Sequence, residues 1–137
     1  MAAFALKAHI ADPHASDWRF DAQKTMYGGK TIAVGDTVYL FDSENTGGCG
    51  LVACGVVTAA EAVARKPGTE RQTPRVDVTV QRNAAATTRL GRAELKPFNA
   101  WDDGQPETEL NFKLYRQATD KIVGLSDAAA GFLVGHF

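Results

Sequence analysis

Apolar residues along this chain come in short runs that are not separated by long helical patterns. The clearest lies at residues 35–57. Gly35-Asp36 is a turn signal, and Thr37-Val38-Tyr39-Leu40-Phe41 is β-branched and aromatic throughout. Residues 42–48 are polar and rich in glycine, and the chain returns as Leu51-Val52-Ala53-Cys54-Gly55-Val56-Val57. Two apolar runs around one short polar loop predict an antiparallel hairpin with both faces largely buried. Gly55 inside the second run predicts a bulge or a close backbone approach.

The cleanest alternation is at residues 75–82, where Val76, Val78 and Val80 interleave with Arg75, Asp77, Thr79 and Gln81. That pattern puts one strand face in a core and the other in solvent. Residues 4–10 read as a first strand, ended by Asp12-Pro13. Residues 15–30 read as a mixed segment in which Ser16 caps a short helix holding Trp18, Phe20 and Ala22, closed by Gly28-Gly29. Residues 59–64 suggest a helical turn, 66–74 a mobile polar loop, and 97–109 a long loop carrying Phe98 and Trp101.

Residues 111–117 resume a strand-like alternation, with Phe112 and Leu114 opposite Lys113 and Tyr115. Residues 122–125 form a short extended piece. Ser126 then caps a helix over 128–136 that buries Phe132 and Leu133. The sum is five or six strands with two or three short helices. We expect a mainly β (α+β) fold, a small mixed β-barrel with peripheral helices, as one domain over residues 1–137.

Composition narrows the functions. A hydrophobic fraction of 45% and a charged fraction of 23% are those of an ordinary globular protein. The formal net charge of −1 excludes binding to nucleic acid through bulk charge, though not through a local basic patch. Cys49 and Cys54 lie in an apolar stretch and read as core or near-core side chains. Zinc would need two further ligands, and His9, His14 and His136 lack ligand spacing, so neither metal nor cofactor is expected. No signal peptide is visible and no apolar run approaches the roughly 20 residues that span a bilayer, which points to the cytoplasm and to no membrane partner. No Ser–His–acid order, glycosidase carboxylate pair or metal motif stands out, so binding is expected rather than catalysis.

The run Gly35-Asp36-Thr37-Val38-Tyr39-Leu40-Phe41-Asp42-Ser43, followed by a glycine-rich loop and Gly50-Leu51-Val52-Ala53-Cys54-Gly55-Val56-Val57, resembles the central signature of EVE domains. These belong to the PUA-like superfamily of small β-barrels, with the ASCH and YTH domains. The ASCH run Gly-X-Lys-X-X-Glu-X-Arg is not found, since Lys30 lies close before Gly35 and Ala33 stands where the Glu would be. The resemblance implies a cleft at one end of the barrel that takes a nucleic-acid base, often a modified one. A base drawn from its stack must regain stacking and edge hydrogen bonds, and stacking contributes about 1–3 kcal/mol per base.

On that reading Trp18 is a stacking candidate, against the alternative that it covers the barrel end. Asp42 and Ser43 stand where the resemblance places a pocket edge, although turn chemistry would use the same side chains. Arg116 could reach a base or phosphate from its strand end. Arg82, Arg89 and Arg92 form a basic cluster suited to phosphates, or a solvated face. The expected function is a nucleic-acid-binding module for RNA or DNA that reads a base, modified or not. Two alternatives stay open: a nucleoside-like small-molecule binder or hydrolase of the same superfamily, and a homodimeric interaction domain using the 76–80 sheet edge.

Overall fold

A computed structural model describes residues 2–64, 68, 73–117 and 119–137. Among them six strands run β1 (Ala3–Ala8), β2 (Asp17–Met26), β3 (Thr37–Asp42), β4 (Gly50–Ala62), β5 (Arg75–Ala85) and β6 (Lys121–Gly124). They close into a barrel in the order β1-β3-β4-β5-β2-β6. β1 lies parallel to β3 and β2 parallel to β6, while the other pairings are antiparallel. Three helices follow: α1 (Arg92–Leu95), α2 (Pro106–Leu114) and α3 (Asp127–Val134). None of the described helices is long and apolar enough to cross a membrane. The mixed barrel with short helices is the architecture expected from the pattern.

The hairpin at residues 35–57 is β3 and the first half of β4. Its mouth is clamped by Gly35 N–H donating to the Val57 carbonyl and Val57 N–H donating to the Asp36 carbonyl, each at 2.9 Å. Gly35 takes φ +94°, a region open to glycine without strain. β3 is buried on both faces because it belongs to a wall with two coverings. Val38 and Leu40 enter the barrel interior, and Tyr39 and Phe41 enter a second core beneath the helices. Gly55 sits at a register shift between β4 and β5, and a Cβ there would collide with the Gln81 carbonyl oxygen.

Five expectations are corrected. Residues 17–26 are a strand, not a helix capped by Ser16, whose carbonyl instead accepts from Arg82 N–H at 2.9 Å. Trp18 and Phe20 point inward between exposed Asp17, Arg19 and Asp21, but a bulge interrupts the register between Phe20 and Gln23. Ala22 takes φ +50° there, and its N–H donates to Asp77 Oδ1 at 2.6 Å while its carbonyl accepts from Arg75 Nη1 at 2.8 Å. The bulge shifts the parity of the strand, so Thr25 is buried and period two does not run through.

Residues 59–62 are not a helical turn but the end of β4, where pairing with residues 76–79 overrides the helix preference of alanine. The stretch 97–109 is not loop throughout, since α2 begins at Pro106, and 111–117 is helix rather than strand as far as Leu114. Proline suits the first helical position, and Asp103 organises the entry by accepting from Gln105 N–H at 2.9 Å and Thr108 Oγ1 at 3.0 Å. Leu110 and Leu114, four residues apart, bury against the wall. Lastly, Cys49 is exposed, and Cys54 alone is partly buried. The loop expected at 66–74 falls mostly outside the described residues.

Ser126 caps α3 as expected, accepting from Ala129 N–H at 3.1 Å. Leu133 is buried and Phe132 partly so. Replacing Gly55 by alanine should cost roughly 1–3 kcal/mol, because the colliding partner is backbone of β5 and cannot swing aside. Urea denaturation of Gly55→Ala checks this, and an unchanged midpoint would contradict it.

Candidate functional site

The second core lies between the outer face of β1, β3 and β6 and the helices α2 and α3. Alternation on β1 sends Phe4 and Leu6 into the barrel and Ala5 and Lys7 outward beneath the helices. On β6 the same parity places Val123 and Lys121 on that covered side, with Lys121 the register partner of Lys7. Phe41 of β3 is the partner of Lys7 on its other flank. Ser43 extends that ladder by donating its N–H to the Ala8 carbonyl at 2.9 Å, which returns its side chain to the covered side. Two lysines thus face each other beneath the helices, and Ser43 stands just past the end of β3, on the other flank of β1 from Lys121.

All three are enclosed: Lys7 is 1% exposed, Lys121 and Ser43 0%. Lys7 Nζ donates to the Leu114 carbonyl at 2.7 Å, a favourable place for a cation because it is the C-terminal end of α2. It also stands 5.2 Å from the Tyr115 ring centroid. Among the described residues neither Lys121 Nζ nor Ser43 Oγ has a hydrogen-bond partner. Such groups are rare in folded proteins because each forfeits its hydration without replacement.

The surroundings are polar and tied together. Tyr115 Oη donates to Glu44 Oε1 at 3.1 Å, and Glu44 Oε2 accepts from the backbone N–H of Arg92 at 2.6 Å. Arg92 Nη2 donates to Asn45 Oδ1 at 2.8 Å, and its guanidinium lies 5.8 Å from the Tyr115 ring centroid. Burial pushes the Lys121 ammonium down to about 8, with the charge of Lys7 adding to the shift. Burial also lowers Lys7, partly offset by Asp120. The Tyr115 hydroxyl is driven well above its ordinary value by burial and by the Glu44 carboxylate.

The candidates named from sequence go to different places. Ser43 is fully buried just past β3, with its Oγ unpartnered among the described residues. Asp42 does turn work, accepting from Ile10 N–H at 3.1 Å. Trp18 is 9% exposed within the barrel interior, and its Nε1 donates to the Asp12 carbonyl at 2.8 Å. Arg116, just past α2 rather than at a strand end, lies 4.7 Å from the Phe112 ring centroid. Phe112 in turn contacts Tyr27 and Trp101 at centroid distances of 5.7 and 5.5 Å, an aromatic row beside a cavity of about 230 Å³. Arg92 joins the recess through Glu44, Arg89 pairs with Glu94 at 3.7 Å, and Arg82 lies on β5. Lys7, Lys121, Glu44 and Tyr115 were not anticipated. The available signal was a lysine inside each of two apolar strands, Phe4-Ala5-Leu6-Lys7-Ala8 and Lys121-Ile122-Val123.

This barrel, with helices against one wall, has the PUA-like, EVE-type fold that the hairpin suggested. The DUF55 domain of human thymocyte nuclear protein 1 has TM-score 0.67 at 15% identity, over 98% of this chain and 97% of that one. Human THYN1 protein in complex with DNA containing 5-methylcytosine gives 0.65 at 14% identity, over 98% and 96%. A Pseudomonas putida protein gives 0.66 at 15% identity, over 98% of each chain. Likeness at this identity defines the fold. No family model matches the sequence, and no curated protein matches it significantly.

The recess carries a stability cost that can be measured. Lys121 in the folded chain loses its proton near pH 8, whereas a solvated lysine holds it to about 10.5. Below pH 8 the folded state therefore bears a buried charge at full cost. Between those pH values the unfolded chain binds more protons, so stability rises with pH. Lys121→Met should stabilise the protein by roughly 1–3 kcal/mol at pH 7, a gain that fades from pH 8 towards 10.5. Thermal unfolding of both proteins across that range checks the size and sign.

Proposed function

We propose that this protein is a nucleic-acid-binding module that holds one base, modified or unmodified, in the recess between the β1–β3–β6 wall and the end of α2. The observation that carries this reading is that Lys121 Nζ and Ser43 Oγ are buried with no hydrogen-bond partner among the described residues, while Lys7, the register partner of Lys121, stands 5.2 Å from the Tyr115 ring centroid. The two unpartnered groups offer hydrogen bonds to the edge of a planar ligand in a site already closed to water. Support comes from the resemblance at residues 35–57 and from the fold shared with a human protein seen in complex with methylated DNA.

In this reading Ser43 meets the base edge, and stacking falls to Tyr115 rather than to Trp18, which is enclosed in the barrel. Asp42 holds the strand end that presents Ser43. Arg92 and Arg116, with Arg82 and Arg89 further along the chain, supply phosphate contacts for RNA or DNA. The setting is the cytoplasm.

Fluorescence anisotropy with RNA and DNA oligonucleotides, plain and carrying modified bases, is the direct test. Binding should weaken steeply as salt rises, and Arg92→Ala should lower the slope of log K against log salt by about 1. Ser43→Ala should weaken the favoured oligonucleotide about tenfold with little change in that slope. Absence of binding to every oligonucleotide, or affinity indifferent to salt, would refute the proposal.

A further inference from the structure

We infer that the wall beneath the helices is built for an anionic oxygen group, a phosphate or a carboxylate, bridged by Lys7 and Lys121. This deepens the base-binding reading and depends on it only for what larger molecule carries the group. The first ground is register. Lys7 and Lys121 are direct partners on antiparallel strands, which sets their Cβ atoms about 4.5–5.5 Å apart on the helix-covered side. Like charges so placed repel, and here they do so without solvent to screen them.

The second ground is the hydrogen-bond inventory. An ammonium has three donors and no acceptor. Lys7 is seen donating to the Leu114 carbonyl, while Lys121 Nζ and Ser43 Oγ have no partner among the described residues. The nearest carboxylates do not answer them. Glu44 holds the Tyr115 hydroxyl on one oxygen and the Arg92 N–H on the other, and Asp120 is exposed at the surface. Lys121 Nζ thus keeps unused donors out of water, and the charges of Asp120 and Glu44 offset only part of the burial cost at Lys7.

A neutral carbonyl would satisfy the donors and leave the charge uncompensated. An anionic oxygen group satisfies both, through charge-assisted bonds that are shorter and stronger than neutral ones. The same chemistry could arrive as a nucleotide phosphate or as an acidic substituent on a base.

Titration calorimetry at pH 7 with cytidine, cytidine 5′-monophosphate and 5-carboxycytidine separates these. At least one of the acids should bind about tenfold or more tightly than cytidine, and which one does so identifies the source. Lys7→Met and Lys121→Met should each bring the acids to within about twofold of cytidine, the second in a protein more stable than its parent. Equal binding of acids and cytidine, a preference that survives both substitutions, or no binding of any probe at millimolar concentration overturns the inference. Oligonucleotide binding without an acid preference removes the anion pocket and leaves the base-binding reading. An acid preference lost on Lys121→Met, with no oligonucleotide bound, does the reverse.

Discussion

The wall made by β6, β1 and β3 is covered on both faces, by the barrel interior and by the layer of α2 and α3. Everything else in the structure answers to that double burial. A strand with no solvent face must be apolar at every position, as in parallel sheets enclosed by helices, and β1 meets this from Phe4 to Leu6. β3 meets it from Val38 to Phe41. The rule then breaks at Lys7 and Lys121, which are register partners, and at Ser43 just past the end of β3. Polar groups buried in such a layer cost stability unless something satisfies them, which is the ground for the proposed site.

The loop after β3 is the joint between this site and the helices. Asp42 turns back to the Ile10 N–H, and a Cβ on Gly48 would run into Asp42, so the chain folds tightly over the strand end. Glu44 then reaches both Tyr115 after α2 and the first residue of α1. The Glu44 carboxylate, adjacent to Ser43 in sequence, thereby orients Tyr115 and the start of α1, and with Asp120 its charge offsets only part of what burial costs Lys7.

What the sequence revealed depended on whether one period governed a segment from end to end. The β3–β4 hairpin, the valines of β5 and the Ser126 cap each follow a single local rule, and each is found in place. β2 was hidden because the bulge at Ala22 flips its parity midway, which erases the alternation of Trp18 and Phe20 before it can be recognised. α2 was hidden for the opposite reason. Residues 112–115 alternate by chance within a helix whose buried contacts, Leu110 and Leu114, stand four apart. The proposed site was half legible: the end of β3 was singled out, and there Ser43 is buried with a hydroxyl unpartnered among the described residues. Trp18 and Asp42 point away from the helix-covered face because side-chain parity, not nearness along the chain, decides which face a strand residue joins.

That parity argument also explains why the lysines were invisible. A lysine in an amphipathic strand is ordinary, since its head lies on the wet face. Lys7 becomes exceptional only once residues more than a hundred positions away, at the end of α2, are known to cover that face and to supply the carbonyl it bonds. The chemistry of the recess is therefore a property of the closed structure: strand pairing sets the two ammoniums opposite each other, the helix end accepts one of them, and enclosure withholds the water that would have quieted the other.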